Sequence, residues 1–325
     1  MDLEAFLAEW HNDSPTVLVH TSGSTGKPKP LLAEKSRMEA SARITCHFLG
    51  LQAGDKALLC MPLDYIAGKM MVVRALTCGL QLIAVKPSGT PYWDEPIDFA
   101  AMVPLQVWNL LHDAAGCQRL MQIRHLIIGG GAIDEELQEA LHDFPHAVWS
   151  TYGMTETLSH IALRRLNGPT ASAWYTPFEG VSVSLADDGC LVIEAPVVHA
   201  TPLKTNDVAE VRPDSTFRIL GRKDNVICSG GIKIQMEEVE RLLHPHLPIP
   251  FMITRAKDVR LGQIVVLLTE RGDSSDIQTI CQQVLPKYWQ PRRIITVDHL
   301  PLTETGKPAR AEAELLARQQ STKSL

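Results

Sequence analysis

Residues 16–30 read TVLVH TSGSTGKPKP. The first five residues, Thr16 to His20, are β-branched and apolar and predict a strand. The stretch from His20 to Pro30 is small hydroxyl residues, glycines and two lysines. After a strand, such a loop lets backbone N–H groups and hydroxyls surround phosphate oxygens, while lysines supply positive charge. It is not a Walker A loop. Two residues rather than four separate Gly23 from Gly26, and Pro28 stands where Ser or Thr would follow the Gly-Lys pair.

Outward from that loop, the pattern alternates strand and helix. Residues 1–12 read as a short amphipathic helix, Leu32 to Leu49 as helix and Lys56 to Met61 as a buried strand. Ala67 to Cys78 reads as helix, Gln81 to Val85 as strand, Arg124 to Ile128 as an apolar strand, and Ile133 to His142 as a helix with Asp134 as its N-cap. Alternation of this kind predicts an α/β sheet covered by helices. After Ser172 the texture becomes β-rich. Val181–Leu185 and Cys190–Ala195 flank the turn Asp187-Asp188-Gly189, and Val208–Val211 and Phe217–Leu220 flank Pro213-Asp214. A smaller α/β unit follows: helix Met236–Leu243, strands Phe251–Thr254 and Ile264–Leu268, helix Ser275–Leu285, strand Arg293–Val297 and a helix near Arg310–Arg318. The expected organisation is a large N-terminal α/β domain with a β-rich end, residues 1–221, and a small mobile C-terminal α/β domain, residues 222–325.

Composition narrows the function. The chain has 325 residues, which suggests about two domains at roughly 150 residues each. With 45% hydrophobic and 21% charged residues it is an ordinary globular chain, not disordered, collagenous or disulfide-stapled. The weakly charged stretch Met70 to Val85 is interrupted by Arg74 and is too short to span a bilayer. The start, MDLEAFLAEW, lacks the basic region of a secretory signal. Seven scattered cysteines without a CxxC pair fit a reducing cytoplasm. Residues 222–325 hold 15 basic and 12 acidic side chains, against 16 and 25 in residues 1–221. That excess of three charges is far from the clustered basic face a nucleic acid requires. His142 and His146 are four apart, but Pro145 breaks the helix between them, and no HExxH occurs, so no zinc site is expected. Gly129-Gly130-Gly131-Ala132 fails the dinucleotide pattern GxGxxG because position 134 is Asp.

Five segments then recur in one order. TSGSTGKPK at 21–29 closely resembles the phosphate-loop signature of the acyl-adenylate-forming superfamily, the family of acyl-CoA synthetases, luciferases and adenylation domains. Tyr152-Gly153-Met154-Thr155-Glu156 resembles its YGxTE motif, and Asp207 in Thr205-Asn206-Asp207 the Asp of its TGD motif. Gly221-Arg222-Lys223-Asp224 resembles its hinge motif GRxD, and Leu302 to Lys307, LTETGK, its terminal catalytic-lysine motif.

The resemblance implies an acid–CoA ligase that first makes an acyl-adenylate and pyrophosphate from ATP, after which the thiol of coenzyme A attacks the acyl carbon. The first step brings an anionic carboxylate onto an anionic phosphate, so charge neutralisation is its main task. On the matching positions, Thr21, Ser22, Gly23, Ser24, Thr25, Gly26 and Lys27 would hold the β- and γ-phosphates, and Glu156 would ligate Mg²⁺ through oxygen. Thr155 would donate to the α-phosphate. Asp207 and Arg222 would face the ribose. Tyr152, Gly153, Gly130, Gly131 and Ala132 would border the adenine and acyl group. Lys307 would swing in to bridge carboxylate and α-phosphate. Asp224 would be the pivot between the half-reactions, and Gly230, Gly231 and Lys233 would line the tunnel for the pantetheine arm of CoA.

The sequence departs from the family in places. Pro30 replaces the final Gly of the loop signature, Asn206 the Gly of TGD, and Tyr65 stands where many members have a pocket His. About twenty residues precede the loop, where typical members carry a further domain-sized region. The compact bacterial members that the chain most resembles act on o-succinylbenzoate, a dicarboxylate with a benzoate ring. One carboxylate would be activated and the other held by a donor: Lys69 first, with Ser159 and His160 as alternatives, beside Tyr65 in the pocket segment Met61–Met71. The alternatives are another aryl or fatty acyl-CoA ligase, or a non-catalytic nucleotide-binding relative. The expected partners are the small carboxylic acid, ATP and CoA. Nucleic acid, a membrane span and a fixed oligomeric state are not implied.

Overall fold

The computed structural model describes residues 1–20, 30–131, 133, 135–303 and 307–319. Helix α1 (Leu3–His11) precedes the antiparallel hairpin β1 (Thr16–His20) and β2 (Pro30–Glu34). Next come α2 (Lys35–Leu49), β3 (Lys56–Leu59), α3 (Ile66–Cys78), β4 (Gln81–Ala84), β5 (Phe99–Met102), α4 (Pro104–Leu111), α5 (Ala114–Met121), β6 (His125–Ile128), α6 (Glu135–Leu141), β7 (Ala147–Gly153), β8 (His160–Arg165) and β9 (Thr176–Pro177).

From this set a seven-stranded sheet forms in the order β4-β3-β5-β6-β7-β8-β9. Strands β4 through β7 are parallel, and β8 and β9 run antiparallel. The parallel strands are short apolar runs; all four residues of β5 are buried, as expected where helices cover both faces. The chain goes from β3 outward to β4 and then back across to β5, so strand order reverses between β3 and β5. Crevices outside the carboxyl ends of strands at such a reversal are where open α/β sheets bind ligands.

A four-stranded antiparallel sheet follows, made by β10 (Ser182–Leu185), β11 (Cys190–Glu194), β12 (Leu203–Val211) and β13 (Phe217–Arg222). The remaining chain forms β14 (Val226–Ser229), β15 (Ile232–Gln235), α7 (Met236–Leu243), β16 (Phe251–Asp258), β17 (Gly262–Thr269), α8 (Ser274–Val284), β18 (Arg293–Thr296) and α9 (Arg310–Gln319). Buried apolar residues between Phe6 and Phe217 form one cluster, and those between Ile227 and Ala317 form two others.

The α/β class and both β-rich hairpins match the sequence reading. Several elements do not. Leu32, expected in a helix, lies in β2, because pairing with β1 overrides local helix propensity. Strand β5 and helices α4 and α5 were not expected; FAAM carries none of the β-branched residues that mark a strand. Asp134 lies outside the described residues.

Helix α3 is buried almost all round from Gly68 to Ala75, yet carries two cations, Lys69 and Arg74. Five helical positions apart, they leave the helix on different faces. In the C-terminal body, Arg310 at the start of α9 grips Glu240 with two hydrogen bonds, 2.6 and 2.7 Å, and donates to the Ile253 carbonyl at 2.7 Å. Glu240 also accepts from the Ile253 N–H at 2.8 Å, so one ion pair ties α7, β16 and α9 together. Breaking such a largely buried pair should cost about 3 kcal/mol. Arg310→Met should therefore lower the denaturant midpoint clearly, whereas Arg43→Ala, which breaks the exposed pair Arg43–Glu39, should move unfolding by under about 0.5 kcal/mol.

Candidate active site

A cavity of about 440 Å³ opens at the carboxyl ends of β3, β5, β6 and β7. Its lining follows directly from the topology: Met61 and Pro62 after β3, Ala101 and Met102 on β5 with Val103 after it, Ile127 on β6 with Gly129 and Gly130 after it, and Thr151 and Gly153 on β7 with Met154 and Thr155 after it. Tyr65, Ile66 and Ala67 enter from the start of α3, His20 from the end of β1, and Lys307 from the C-terminal body. Two glycines permit close approach here. A Cβ on Gly129 would lie 2.3 Å from the Thr151 hydroxyl oxygen, and one on Gly153 would lie 2.3 Å from the Ser159 carbonyl oxygen.

The expected site residues sort into three groups. Tyr65, Gly130, Gly153, Thr155, Ser159, His160 and Lys307 line the cavity together. Tyr152, Asp207 and Arg222 form a hydrogen-bonded cluster of their own: the Tyr152 hydroxyl donates to Asp207 at 2.7 Å, and Arg222 donates to the other carboxylate oxygen at 3.1 Å. Burial, reinforced by the Asp207 charge, raises the Tyr152 phenol and keeps it a donor. Arg222 also pairs with Asp224 at 3.1 Å. Burial, and then the Arg222 charge, lower the Lys307 ammonium from its ordinary value. Its backbone is fixed by an exchange of hydrogen bonds with Thr303, 2.7 and 3.0 Å.

A third group stays out of the cavity lining. Gly230 and Gly231 turn the β14–β15 hairpin with φ of 57° and 86°, and Lys233 beyond them is exposed. Gly131 is exposed beside the cavity. Glu156 sits on the 3₁₀ turn Thr155–Thr157 with an exposed carboxylate. That carboxylate makes no hydrogen bond or ion pair among the described residues, which leaves its oxygens open to a hard cation. Thr21, Ser22, Gly23, Ser24, Thr25, Gly26, Lys27 and Ala132 lie outside the described residues.

Lys69 corrects the sequence reading. Its ammonium does not line the cavity; it donates to the Leu18 carbonyl at 2.7 Å and lies 3.4 Å from Glu9. The face of α3 that carries Lys69 turns toward α1 and β1.

The cation that does reach the cavity is Arg74, which is 2% exposed. One terminal nitrogen donates to Ser159 Oγ at 2.6 Å, another faces Met71 Sδ at 3.7 Å, and Nε has no partner among the described residues. Among the described residues no carboxylate pairs with it. Burial loosens its hold on the proton, but a guanidinium starts so high that it stays cationic at neutrality.

Behind Arg74 runs a relay with a fixed direction. The Thr45 hydroxyl donates to the Ser41 carbonyl at 3.2 Å, so its oxygen must accept from His160 Nε2, 3.1 Å away. His160 Nδ1 is then the acceptor for the Ser159 hydroxyl at 3.2 Å, leaving Ser159 Oγ to accept from Arg74. This direction needs a neutral imidazole. Burial, and then Arg74, hold His160 well below the ordinary histidine value. Arg74, Thr45 and His20 were not singled out from the sequence. The signal for Arg74 was present: one arginine interrupts the apolar run from Met70 to Val85.

The family model of AMP-binding enzymes matches residues 4–194. A 2-succinylbenzoate–CoA ligase of Listeria monocytogenes is 26% identical, over 93% of this chain and 70% of that protein. The crystal structure of an acyl-CoA synthetase (AMP-forming)/AMP-acid ligase II-like protein from Dyadobacter fermentans is 32% identical, covers 96% of this chain and 92% of that one, and superposes with a TM-score of 0.65. An o-succinylbenzoate coenzyme A synthetase from Bacillus subtilis, in complex with ATP and magnesium, shares the fold at a TM-score of 0.76, with 22% identity over 91% of this chain and 69% of that one.

The contact of Gly153 with the segment before β8 gives a direct test. Gly153→Ala forces backbone apart and should cost roughly 1–3 kcal/mol of stability. It should also displace Ser159 and His160, seen as a changed His160 side-chain signal in NMR. An unchanged signal with unchanged stability would mean that the segment yields freely.

Proposed function

Because the chain belongs to the AMP-binding enzyme family, we propose that it is an AMP-forming acid–CoA ligase whose acid is o-succinylbenzoate, a precursor in menaquinone biosynthesis. Its substrates are ATP, the acid and coenzyme A, with Mg²⁺ accompanying ATP. The observation that carries the choice of acid is Arg74. A buried guanidinium at a cavity wall, with one nitrogen unpaired and no carboxylate beside it among the described residues, suits a ligand's second carboxylate, which can accept charge-assisted hydrogen bonds from it. A monocarboxylic fatty acid would leave that charge desolvated and uncompensated.

The roles then distribute as follows. Arg74, steadied by Ser159, holds the remote carboxylate, and apolar Met102, Val103 and Leu158 flank the ring. The reacting carboxylate faces Lys307, whose charge offsets the approach of carboxylate to α-phosphate. Residues 21–27 take the β- and γ-phosphates, and Thr155 the α-phosphate. Asp207, oriented by Tyr152 and Arg222, accepts from the ribose hydroxyls. Glu156 would hold the magnesium ion, which neutralises phosphate charge. With Lys307 at the cavity and the Gly230–Lys233 turn away from it, the arrangement suits adenylation. Thioester formation calls for residues 222–325 to turn about Asp224 and bring Gly230, Gly231 and Lys233 to the thiol arm. No helix among the described residues is long and apolar enough to cross a membrane, and the cytoplasm, where ATP and CoA reside, is the proposed location.

Acid-dependent release of pyrophosphate and AMP, with CoA, should be highest for o-succinylbenzoate against benzoate and medium-chain acids. Arg74→Met should raise the KM for o-succinylbenzoate by about one to two orders of magnitude, on the ~1.5–3 kcal/mol of a hydrogen bond to a charged group. The KM for ATP and turnover of benzoate should barely change. Equal loss for benzoate and o-succinylbenzoate would remove Arg74 as the anchor. For Lys307, adenylation needs the cation and is lost as pH rises through its lowered value. The alkaline limb of pyrophosphate release should thus lie below the ordinary lysine value of 10.5. Lys307→Ala should stop pyrophosphate release yet spare CoA attack on supplied acyl-adenylate.

A further inference from the structure

Lys69 is 3% exposed, a burial that lysine tolerates only with partners. Its partners converge on one residue of β1. The ammonium donates to the Leu18 carbonyl at 2.7 Å and lies 3.4 Å from one Glu9 oxygen and 5.3 Å from the centre of the Phe6 ring. The other Glu9 oxygen accepts from the Leu18 N–H at 3.1 Å. Both backbone groups of Leu18 are therefore taken by side chains, one from α1 and one from α3. They point away from β2, although Leu18 stands opposite Leu32 in the hairpin. Among the described residues the β1–β2 pair belongs to no larger sheet. A two-stranded hairpin alone is marginally stable in water, so it needs an outside hold. Glu9 and Lys69 supply it, acting on β1 as a neighbouring strand would. Strand β1 ends at His20 and β2 begins at Pro30, so this hairpin carries both ends of residues 21–29.

We propose that Glu9 and Lys69 are positioning residues for ATP: by clamping Leu18 they fix the strand that presents the phosphate-binding residues 21–27. The proposal rests on the reading of those residues as the phosphate loop and not on the identity of the acid. Removing either side chain frees β1 at its outer edge, and nucleotide affinity falls while the acid pocket, reached from the opposite face of α3, is spared.

The test is equilibrium binding of magnesium ATP without acid, and of o-succinylbenzoate without ATP, to the full chain and to Lys69→Met, Glu9→Gln and the double variant. Hydrogen exchange is followed over residues 16–20. The expected result is a 5- to 20-fold loss of ATP affinity in Lys69→Met, a smaller loss in Glu9→Gln, and a double variant whose loss is less than the two single losses combined, since both act on Leu18. Acid affinity should stay within twofold, and exchange at residues 16–20 should rise. Should Lys69→Met not fold, Glu9→Ala, which removes the acceptor of the Leu18 N–H and the carboxylate beside Lys69, decides the matter by the same readouts. Faster exchange with unchanged ATP affinity would reduce the clamp to a purely structural feature and overturn the proposal. So would loss of acid affinity with ATP affinity intact. Normal ATP binding by the unaltered protein, without acyl-CoA from o-succinylbenzoate, would instead count against the proposed reaction and leave the clamp to be judged by its variants.

Discussion

The guanidinium of Arg74, buried in a helix packed almost all round, constrains this architecture more than any other group. Removing Arg74 from water costs several kcal/mol unless its charge is met by oriented partners. The chain meets it with hydroxyl, imidazole and hydroxyl in series, ending at the Ser41 carbonyl. Ser41 and Thr45 stand on α2, Arg74 on α3, and Ser159 and His160 where the chain turns from β7 into β8. One relay thus fixes how two helices and the end of the sheet sit together. Its direction is dictated by the single proton of each hydroxyl, so it holds Arg74 rigidly toward the cavity.

The cavity itself is a consequence of strand order. With β3 and β5 as neighbours but β4 on the outer side, the connections leave in opposite directions and open a crevice at their carboxyl ends. Gly129 and Gly153 keep that crevice open and close to backbone, since a side chain at either would strike its neighbour. The charges in it are arranged for an anion at each end: Arg74 deep in the wall, Lys307 brought by the C-terminal body. Both cations are partly stripped of water, which strengthens their attraction for carboxylate and phosphate oxygens.

Two ion pairs outside the cavity hold the segments that border it. Arg310 and Glu240 lock the start of α9, three residues beyond Lys307, onto α7 and β16. Glu9 and Lys69 lock β1, which leads into residues 21–29. In each, the charges occupy backbone groups left open by the local fold, so their work is geometric more than energetic. Helix α3 serves both ends of this scheme with two cations five residues apart.

The ordered segments TSGSTGKPK, YGMTE, TND, GRKD and LTETGK pointed to the family and to the cavity residues Gly153, Thr155 and Lys307, because close backbone approach and phosphate charge demand particular residue types at short spacings. Turns such as Asp187-Asp188-Gly189 were legible for the same local reason. Strand β5 was not, since FAAM becomes a strand only by lying between β3 and β6. Nor was the choice between Lys69 and Arg74 as the cation of the pocket. Both stand on one helix, both interrupt an apolar run, and Lys69 is nearer to the motif. Which of them faces the ligand depends on how α3 is rotated against α1, β1 and α2, and that rotation is set by packing among residues far apart in the chain. Sequence by itself determined what chemistry the chain carries; tertiary packing decided which of its charges faces the cavity.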